Sequence, residues 1–324
     1  MLDKISGKGL LIHHWDTDGI CSARLLLEYL KEEKIENTTP ILGNYYLTEE
    51  ELIKYSKYDF VIISDMALPV DNIKYLSKSA KIFIFDHHLQ QKIDFVDHHN
   101  PVISGKNPDL YPSASWIVND YLKNDVNLFS ILGIIGDHEQ KIKKNQYFFD
   151  IISKFCKKNK LTFNDLLQMV YLLDSSYKIG DRDEIISAPW YLLKIKSGQE
   201  ILNNSKWNNN LEKLNSEIQK QLDIKSEIDA DIIIKRINTK YNIISTVTRK
   251  IFWDSKKDTI VVNPGFFKDS DQIYVRSGKD MQEIIMKGKS YGFKAGGKKE
   301  VMGAIVPKDK TELFIKEILD FLKS

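Results

Sequence analysis

The sequence predicts an α/β protein: a doubly wound parallel sheet, then a smaller α+β domain with a mixed sheet, joined by a helical linker. Three observations predict it. Short apolar runs rich in β-branched and aromatic residues alternate with stretches of helical period in the first part of the chain. Acidic and imidazole clusters follow directly on such runs, and the carboxyl edge of an open α/β sheet is where sites are built. After Asp231 the alternation gives way to closely spaced short strands and a paired glycine. The first domain is placed at residues 1–195, the linker at 196–229 and the second domain at 230–324.

Gly9-Leu10-Leu11-Ile12 reads as the first strand and runs into His13-His14-Trp15-Asp16-Thr17-Asp18-Gly19. A helix follows, with Ile20, Ala23, Leu27 and Leu30 on one face. Strand, acidic loop and helix have the layout of a phosphate loop whose basic parts are replaced by carboxylates. Carboxylates cannot cradle phosphate, so a cation must sit between them. Taken alone, Asp16 and Asp18 read equally as solvated acids capping the helix. Pro40-Ile41-Leu42 reads as a second strand, and Thr48-Glu49-Glu50-Glu51 as a capped helix start. Phe60-Val61-Ile62-Ile63 is the third strand, with Ser64-Asp65 at its end. Ile82-Phe83-Ile84-Phe85 is another and ends in Asp86-His87-His88. A second Asp97-His98-His99 precedes Asn100-Pro101 and reads as a surface loop. Tyr111-Pro112-Ser113-Ala114-Ser115 opens a helix. The apolar run Leu128–Ile135 ends at Gly136-Asp137-His138-Glu139, and 164–173 is a further helical stretch. The four clusters together read as one site.

Asn203-Asn204-Ser205 and Asn208-Asn209-Asn210 flank Trp207 and read as a loop. Leu211, Leu214, Ile218 and Leu222 then form one apolar stripe on a long helix, read as a connector packed on its own protein. Beyond Asp231, short strands are expected at 232–234, 242–247, 259–262 and 272–276, with a helix around 281–286. Gly296-Gly297-Lys298-Lys299, a strand at 304–306 and a final helix complete the chain. The double glycine lets an anion approach the backbone, with Lys298 and Arg276 as charge partners; a plain hairpin turn is the alternative.

Composition bounds the function. The chain has 324 residues, 42% of them hydrophobic, which is enough for a large core. With 28% charged residues and a net charge of +2 there is no overall basic field, so nucleic acid must be held by a local patch. Cys21 and Cys156 have no spacing suited to zinc or a disulfide framework, and a reducing cytoplasm is the expectation. The first apolar run is too short for a secretion signal, and no run has the length of a membrane span.

With those residues in view, the chain resembles the DHH phosphoesterase superfamily over nearly its whole length. Its motifs match at His14-Trp15-Asp16-Thr17-Asp18-Gly19, at Asp65, at Asp86-His87-His88 and at Gly136-Asp137, with Asn100-Pro101 and Pro112-Ser113 as further landmarks. The C-terminal part is similar to the DHH-associated domain through Arg276-Ser277, Gly296-Gly297-Lys298 and Gly303. One departure is Lys298, where the family usually has histidine: a positive charge is kept, but without a neutral form near pH 7. The family's following alanine pair is also absent.

The resemblance implies two Mn²⁺, with Mg²⁺ as substitute, held by Asp16, Asp18, Asp65, His87 and Asp137, with Asp65 bridging. It implies that Asp86 orients the imidazole, that His88 faces the phosphate or leaving oxygen, and that His14 is a ligand or lies just behind one. Arg276, Gly296, Gly297 and Lys298 would grip the substrate from the second domain, across an interdomain cleft. The form looks most like compact archaeal RecJ-like exonucleases acting on single-stranded DNA or RNA, leaning 3′–5′. NanoRNases and cyclic-dinucleotide phosphodiesterases are the alternative. A further one is a replication scaffold bound to the GINS complex, although a scaffold has no electrostatic reason to keep five clustered acids.

Overall fold

A strand covered on both faces must be apolar along its length, and the first sheet is built around three such runs. In the computed structural model, residues 2, 5–30 and 34–324 are described. The order of elements is β1 (Lys8–His13), α1 (Thr17–Leu30), β2 (Lys34–Thr38), α2 (Glu49–Tyr55), β3 (Phe60–Ser64), α3 (Val70–Leu76), β4 (Lys81–Phe85), β5 (Asp97–His99), α4 (Ala114–Tyr121), α5 (Leu128–His138), α6 (Gln146–Asn159), α7 (Phe163–Ile179), α8 (Arg182–Leu192), α9 (Gly198–Leu202), α10 (Ser205–Asp223), β6 (Glu227–Asp229), β7 (Ile232–Arg236), α11 (Ile244–Ser255), β8 (Thr259–Asn263), β9 (Ser270–Arg276), α12 (Gln282–Ser290), β10 (Lys294–Lys298), β11 (Val301–Pro307) and α13 (Thr311–Lys323). Two compact units result: Met1–Tyr177 with Asp181–Asn209, and Lys178–Gly180 with Asn210–Ser324.

In the first unit the sheet order is β2-β1-β3-β4-β5 and every pairing is parallel. The central strands β1, β3 and β4 are buried from Leu10, Phe60 and Ile82 to their ends. Thr48 caps α2 through a capping box with Glu51, as its sequence requires. Helix α1 packs against α4, α5 and α8, while α2 packs against α3.

Two readings from sequence are corrected here. The second strand is Lys34–Thr38, not Pro40-Ile41-Leu42. As an edge strand it pairs only with β1, and its inner end is polar: Asn37 donates to the Ile186 carbonyl and Arg182 to Thr39, both from α8. Asp97-His98-His99 is not a surface loop but the opposite edge strand, with Ile84 against His98 and Phe85 against His99. The His99 ring lies 5.7 Å from Phe85 and 5.1 Å from Tyr121, so it serves as packing.

The second unit has a mixed sheet in the order β10-β11-β9-β8-β7-β6; only β7 and β8 run parallel. Strand β9 alternates, and Ile273 and Val275 face a core shared with Met302, Ala304, Phe314 and Ile318. On the other face, Leu214 and Ile218 of α10 meet Ile243, Val247 and Val261. The stripe on α10 therefore packs on its own protein. Fully buried Lys235 donates to the carbonyls of Leu222 and Ile224, closing the end of that helix.

The asparagine-rich segment and 242–247 also depart from expectation. Asn208, Asn209 and Asn210 lie inside α10, which Asn204 starts by accepting from the Trp207 amide. Trp207 is fully buried and its indole donates to Glu184 at 2.8 Å, so packing overrides a loop-like composition. Residues 244–247 begin a helix. Ile243, Ile244, Val247 and Ile251 recur at helical spacing, and that period outweighs their β-branching.

Candidate metal centre

The chain leaves β1 toward one edge of the sheet and enters β3 on the way to the other. The neighbouring ends of β1 and β3 thus form the switch point of the fold, where a crevice opens beyond the strands. The ladder continues one residue past each strand: His14 donates to the Ser64 carbonyl, Asp65 to Phe85 and Asp86 to His99. These residues are fixed by backbone pairing rather than carried on free loops. Asp65 sits at φ 60°, a left-handed conformation that aspartate tolerates better than most residues and that turns its carboxylate into the crevice.

Two groups of ligand-type atoms converge. His14, Asp16 and Asp65 form one, and Asp18, His87 and Asp137 form the other; within each, the atoms lie within 4.8 Å. Asp65 stands between them. Its Oδ2 is 3.7 Å from His14 Nδ1 and its Oδ1 is 3.5 Å from His87 Nε2. His14 Nδ1 is 2.8 Å from Asp16 Oδ2, and His87 Nε2 is 3.1 Å from Asp137 Oδ2. Both nitrogens are buried and have no partner in hydrogen-bonding geometry. Orphaned imidazole nitrogens aimed at carboxylate oxygens fit a divalent cation, which satisfies both kinds of lone pair. Asp, His and several oxygens suit Mn²⁺ or Mg²⁺.

Each predicted residue can be placed. His14 lies with Asp16 and Asp65 in one of these groups. Asp137 comes from the last turn of a helix, not from a strand end. Asp86 is fully buried and accepts from His88 Nδ1 at 2.7 Å, so the imidazole it orients is that of His88. Arg276, Gly296, Gly297 and Lys298 lie on β9 and β10 of the second unit.

Further contacts hold these side chains in place. Asp18 accepts from the amides of Ala114 and Ser115 at 2.6 and 2.9 Å, at the start of α4. A Cβ at Gly133 would lie 2.2 Å from Asp18 Oδ1, which is why α5 carries glycine there. Buried Asp174 accepts from Thr17 N and Oγ1 at 3.0 and 2.7 Å, locking the loop between Asp16 and Asp18. Asn100 donates to the His88 carbonyl at 2.9 Å.

Like charges brought together shift one another. Burial, then the neighbouring Asp137, pushes Asp18 up to about 6. Burial, then Asp18 and Asp16, carries Asp65 well above the usual carboxylate range. Burial opposes charge on His14 and His87, yet Asp16 raises the first, and Asp137 with Asp65 raises the second well above an ordinary imidazole. A carboxyl raised in the folded state favours folding while neutral, and that contribution is lost as pH climbs through its folded value. A raised imidazole favours folding while protonated, and loses its contribution in the same direction. Asp16 and Asp86 are held low by His14 and His88 against the effect of burial, and their contribution is already complete above about pH 5. Burial lowers His13, His98 and His99, whose contribution instead grows with pH whether or not metal is bound, so the centre is read from the difference that metal makes. Saturating Mn²⁺ should raise the melting temperature more near pH 8 than near about pH 5.5. Thermal melts in chelator and in Mn²⁺ check this; a metal-induced rise that is equal or smaller near pH 8 would contradict it.

Fold and site together provide a sheet-edge crevice lined by residues that could hold metal, and known proteins share both the fold and part of the sequence. Residues 9–148 match the DHH family, N-terminal domain. Its fold is RecJ-like. RecJ from Thermus thermophilus in complex with Mn²⁺ superposes with a TM-score of 0.69 at 14% identity, covering 98% of this chain and 52% of that one. The chain thus spans about half the length of that relative. A structure of exonuclease RecJ bound to manganese gives a TM-score of 0.71 at 13% identity, covering 98% of this chain and 90% of that chain. The pGpG-specific phosphodiesterase PggH from Vibrio cholerae is also similar, with a TM-score of 0.52 at 13% identity, covering 98% and 99% of the two chains. No curated protein matches the sequence. Among the described residues, no helix is long and apolar enough to cross a membrane.

Proposed function

We propose that the chain is a two-metal phosphodiesterase that degrades single-stranded DNA or RNA to mononucleotides, a RecJ-like exonuclease leaning 3′–5′. The observation that carries the reading is Asp65, with one oxygen turned to His14 and the other to His87. Asp16, His14 and Asp65 would hold one Mn²⁺, and Asp18, His87 and Asp137 the other, with Mg²⁺ as substitute. Such a pair supplies an activated water and neutralises charge on the reacting phosphate. His88 is held by Asp86 through Nδ1, which leaves Nε2 to give a proton to the leaving oxygen. The likeness to two manganese-bound RecJ structures supports this metal.

Arg276 and Lys298 are proposed to bind phosphate, with Gly296 and Gly297 keeping the strand beside them bare. Arg276 has no ion-pair partner among the described residues, and its buried Nε has no hydrogen-bond partner. Lys298→Ala should mainly raise KM for oligonucleotides and flatten the salt dependence of binding by about one phosphate contact. Arg276→Ala should do the same more severely, since guanidinium holds phosphate through two bonds. Steady-state kinetics across salt check both, and unchanged KM and salt slope in Lys298→Ala would remove its substrate role.

The likeness to PggH supports a second reading, a dinucleotide phosphodiesterase. A GINS-bound scaffold would leave the convergent acids without a purpose. Product analysis with Mn²⁺ on labelled DNA, RNA and dinucleotides separates the three. A ladder shortening to mononucleotides supports the exonuclease, cleavage of dinucleotides alone supports the second reading, and no cleavage of any substrate leaves the scaffold.

A further inference from the structure

We infer that Trp253 and Arg249 of α11 form a base-stacking platform for single-stranded nucleic acid, on the same sheet face as the proposed phosphate contacts Arg276 and Lys298. The inference rests on the reading of the chain as a nuclease and adds to it a recognition element for the bases.

Arg249 and Trp253 are four residues apart and share one face of α11. The guanidinium of Arg249 lies 5.3 Å from the Trp253 ring centre, and that of Arg276, from β9, lies 6.0 Å from it. Two cations from different elements therefore converge on one indole. Trp253 is 47% exposed and its indole N–H has no partner among the described residues. The other exposed indole, Trp190, donates to Asn37 and so has a structural use. Trp253 has none beyond the two arginines.

The neighbouring sheet face fits a strand of nucleic acid. Directly opposed residues of antiparallel strands share a face. Arg276 opposes Val301, Tyr274 opposes Gly303, Gly296 opposes Gly303 and Lys298 opposes Val301. Tyr274 packs against the Val247 side of α11, which puts this face on the helix side of the sheet. Arg276, Val301 and Lys298 thus form one row across three strands, and Tyr274, Gly303 and Gly296 form a second row on the same face. A Cβ at Gly303 would touch the Tyr274 ring at 3.4 Å, whereas one at Gly296 would meet nothing within 4 Å, so this face is open at Gly296.

An aromatic ring beside cations, with an open glycine in the adjoining row, matches a sugar–phosphate backbone whose bases are free to stack. Unpaired bases expose their π faces, whereas duplex bases are already stacked on one another. The platform is therefore assigned to single strands.

The test is equilibrium binding in chelator, read by anisotropy of labelled octathymidylate and of an abasic strand of equal length and charge. Wild type should bind the base-bearing strand about tenfold or more tightly than the abasic one. Trp253→Ala should abolish that preference, Trp253→Phe should keep most of it, and Arg249→Ala should weaken both strands alike. Equal binding of the two strands by wild type would overturn the inference. So would a preference that survives in Trp253→Ala or is lost in Trp253→Phe, or an absence of binding to either strand. Because no metal is present, loss of stacking and loss of hydrolysis are separate results. A strand-binding protein that cleaves nothing with Mn²⁺ would sink the exonuclease reading and leave the platform standing.

Discussion

Asp65→Asn is expected to lower Mn²⁺-dependent hydrolysis by about 10³-fold or more while leaving the protein folded. The magnitude follows from the several kcal/mol of charge stabilisation that a metal pair supplies, at about 1.4 kcal/mol per tenfold. Asparagine is the informative replacement. Asp65 occupies a left-handed backbone conformation at φ 60°, which asparagine also tolerates and alanine does not. The variant therefore removes charge without adding backbone strain. It also removes one of several buried like charges, because burial and then Asp18 and Asp16 already raise Asp65. The metal-free variant should melt no lower than wild type. Turnover measured with Mn²⁺, beside melts in chelator, checks both parts. Near-normal turnover would show that Asp65 does not stand between two ions.

His88→Ala is expected to cost roughly 10²-fold in kcat, the usual scale for a positioned proton donor. Asp86→Ala should cost a large share of the same factor, because Asp86 acts through His88. The two losses should not add, since a double variant removes one dyad once. His98→Ala and His99→Ala should change kcat by no more than a few fold. His98 accepts from the Ile93 amide and His99 packs on Phe85 and Tyr121, so these variants should lose stability instead. Kinetics and melts on all five proteins decide; a larger kcat loss in His98→Ala than in His88→Ala would mean that the wrong histidine pair was assigned.

Much of this site was legible because its carriers are simple. Strands β1, β3 and β4 are covered on both faces, so each is an unbroken apolar run, and the residue where the run stops lies at the sheet edge. His14, Asp65 and Asp86 announce themselves in that way. Edge elements do not. Strand β2 carries Asn37 and Thr38, whose partners are α8 residues about 150 positions later, and nothing local marks them. His98 and His99 repeat the motif letters but sit on a three-residue edge strand, where their neighbours make them packing. Ile243 to Val247 look like a strand by residue type and fold as a helix by period. The residues that hold the ligands in place were not legible at all. Asp174 is 157 positions from Thr17, and Gly133 gives way to Asp18 for steric reasons that appear only once α5 is packed. Trp253 and Arg276 meet because β9 and α11 pack together, not through any motif.

The central claim is that six side chains at the end of one sheet hold two divalent cations. Titration of metal-free protein with Mn²⁺, following free Mn²⁺ by electron paramagnetic resonance, tests it most directly. Two ions should bind per chain in wild type and at most one in Asp65→Asn. Two ions bound equally well by both proteins, or none bound by wild type, would contradict it.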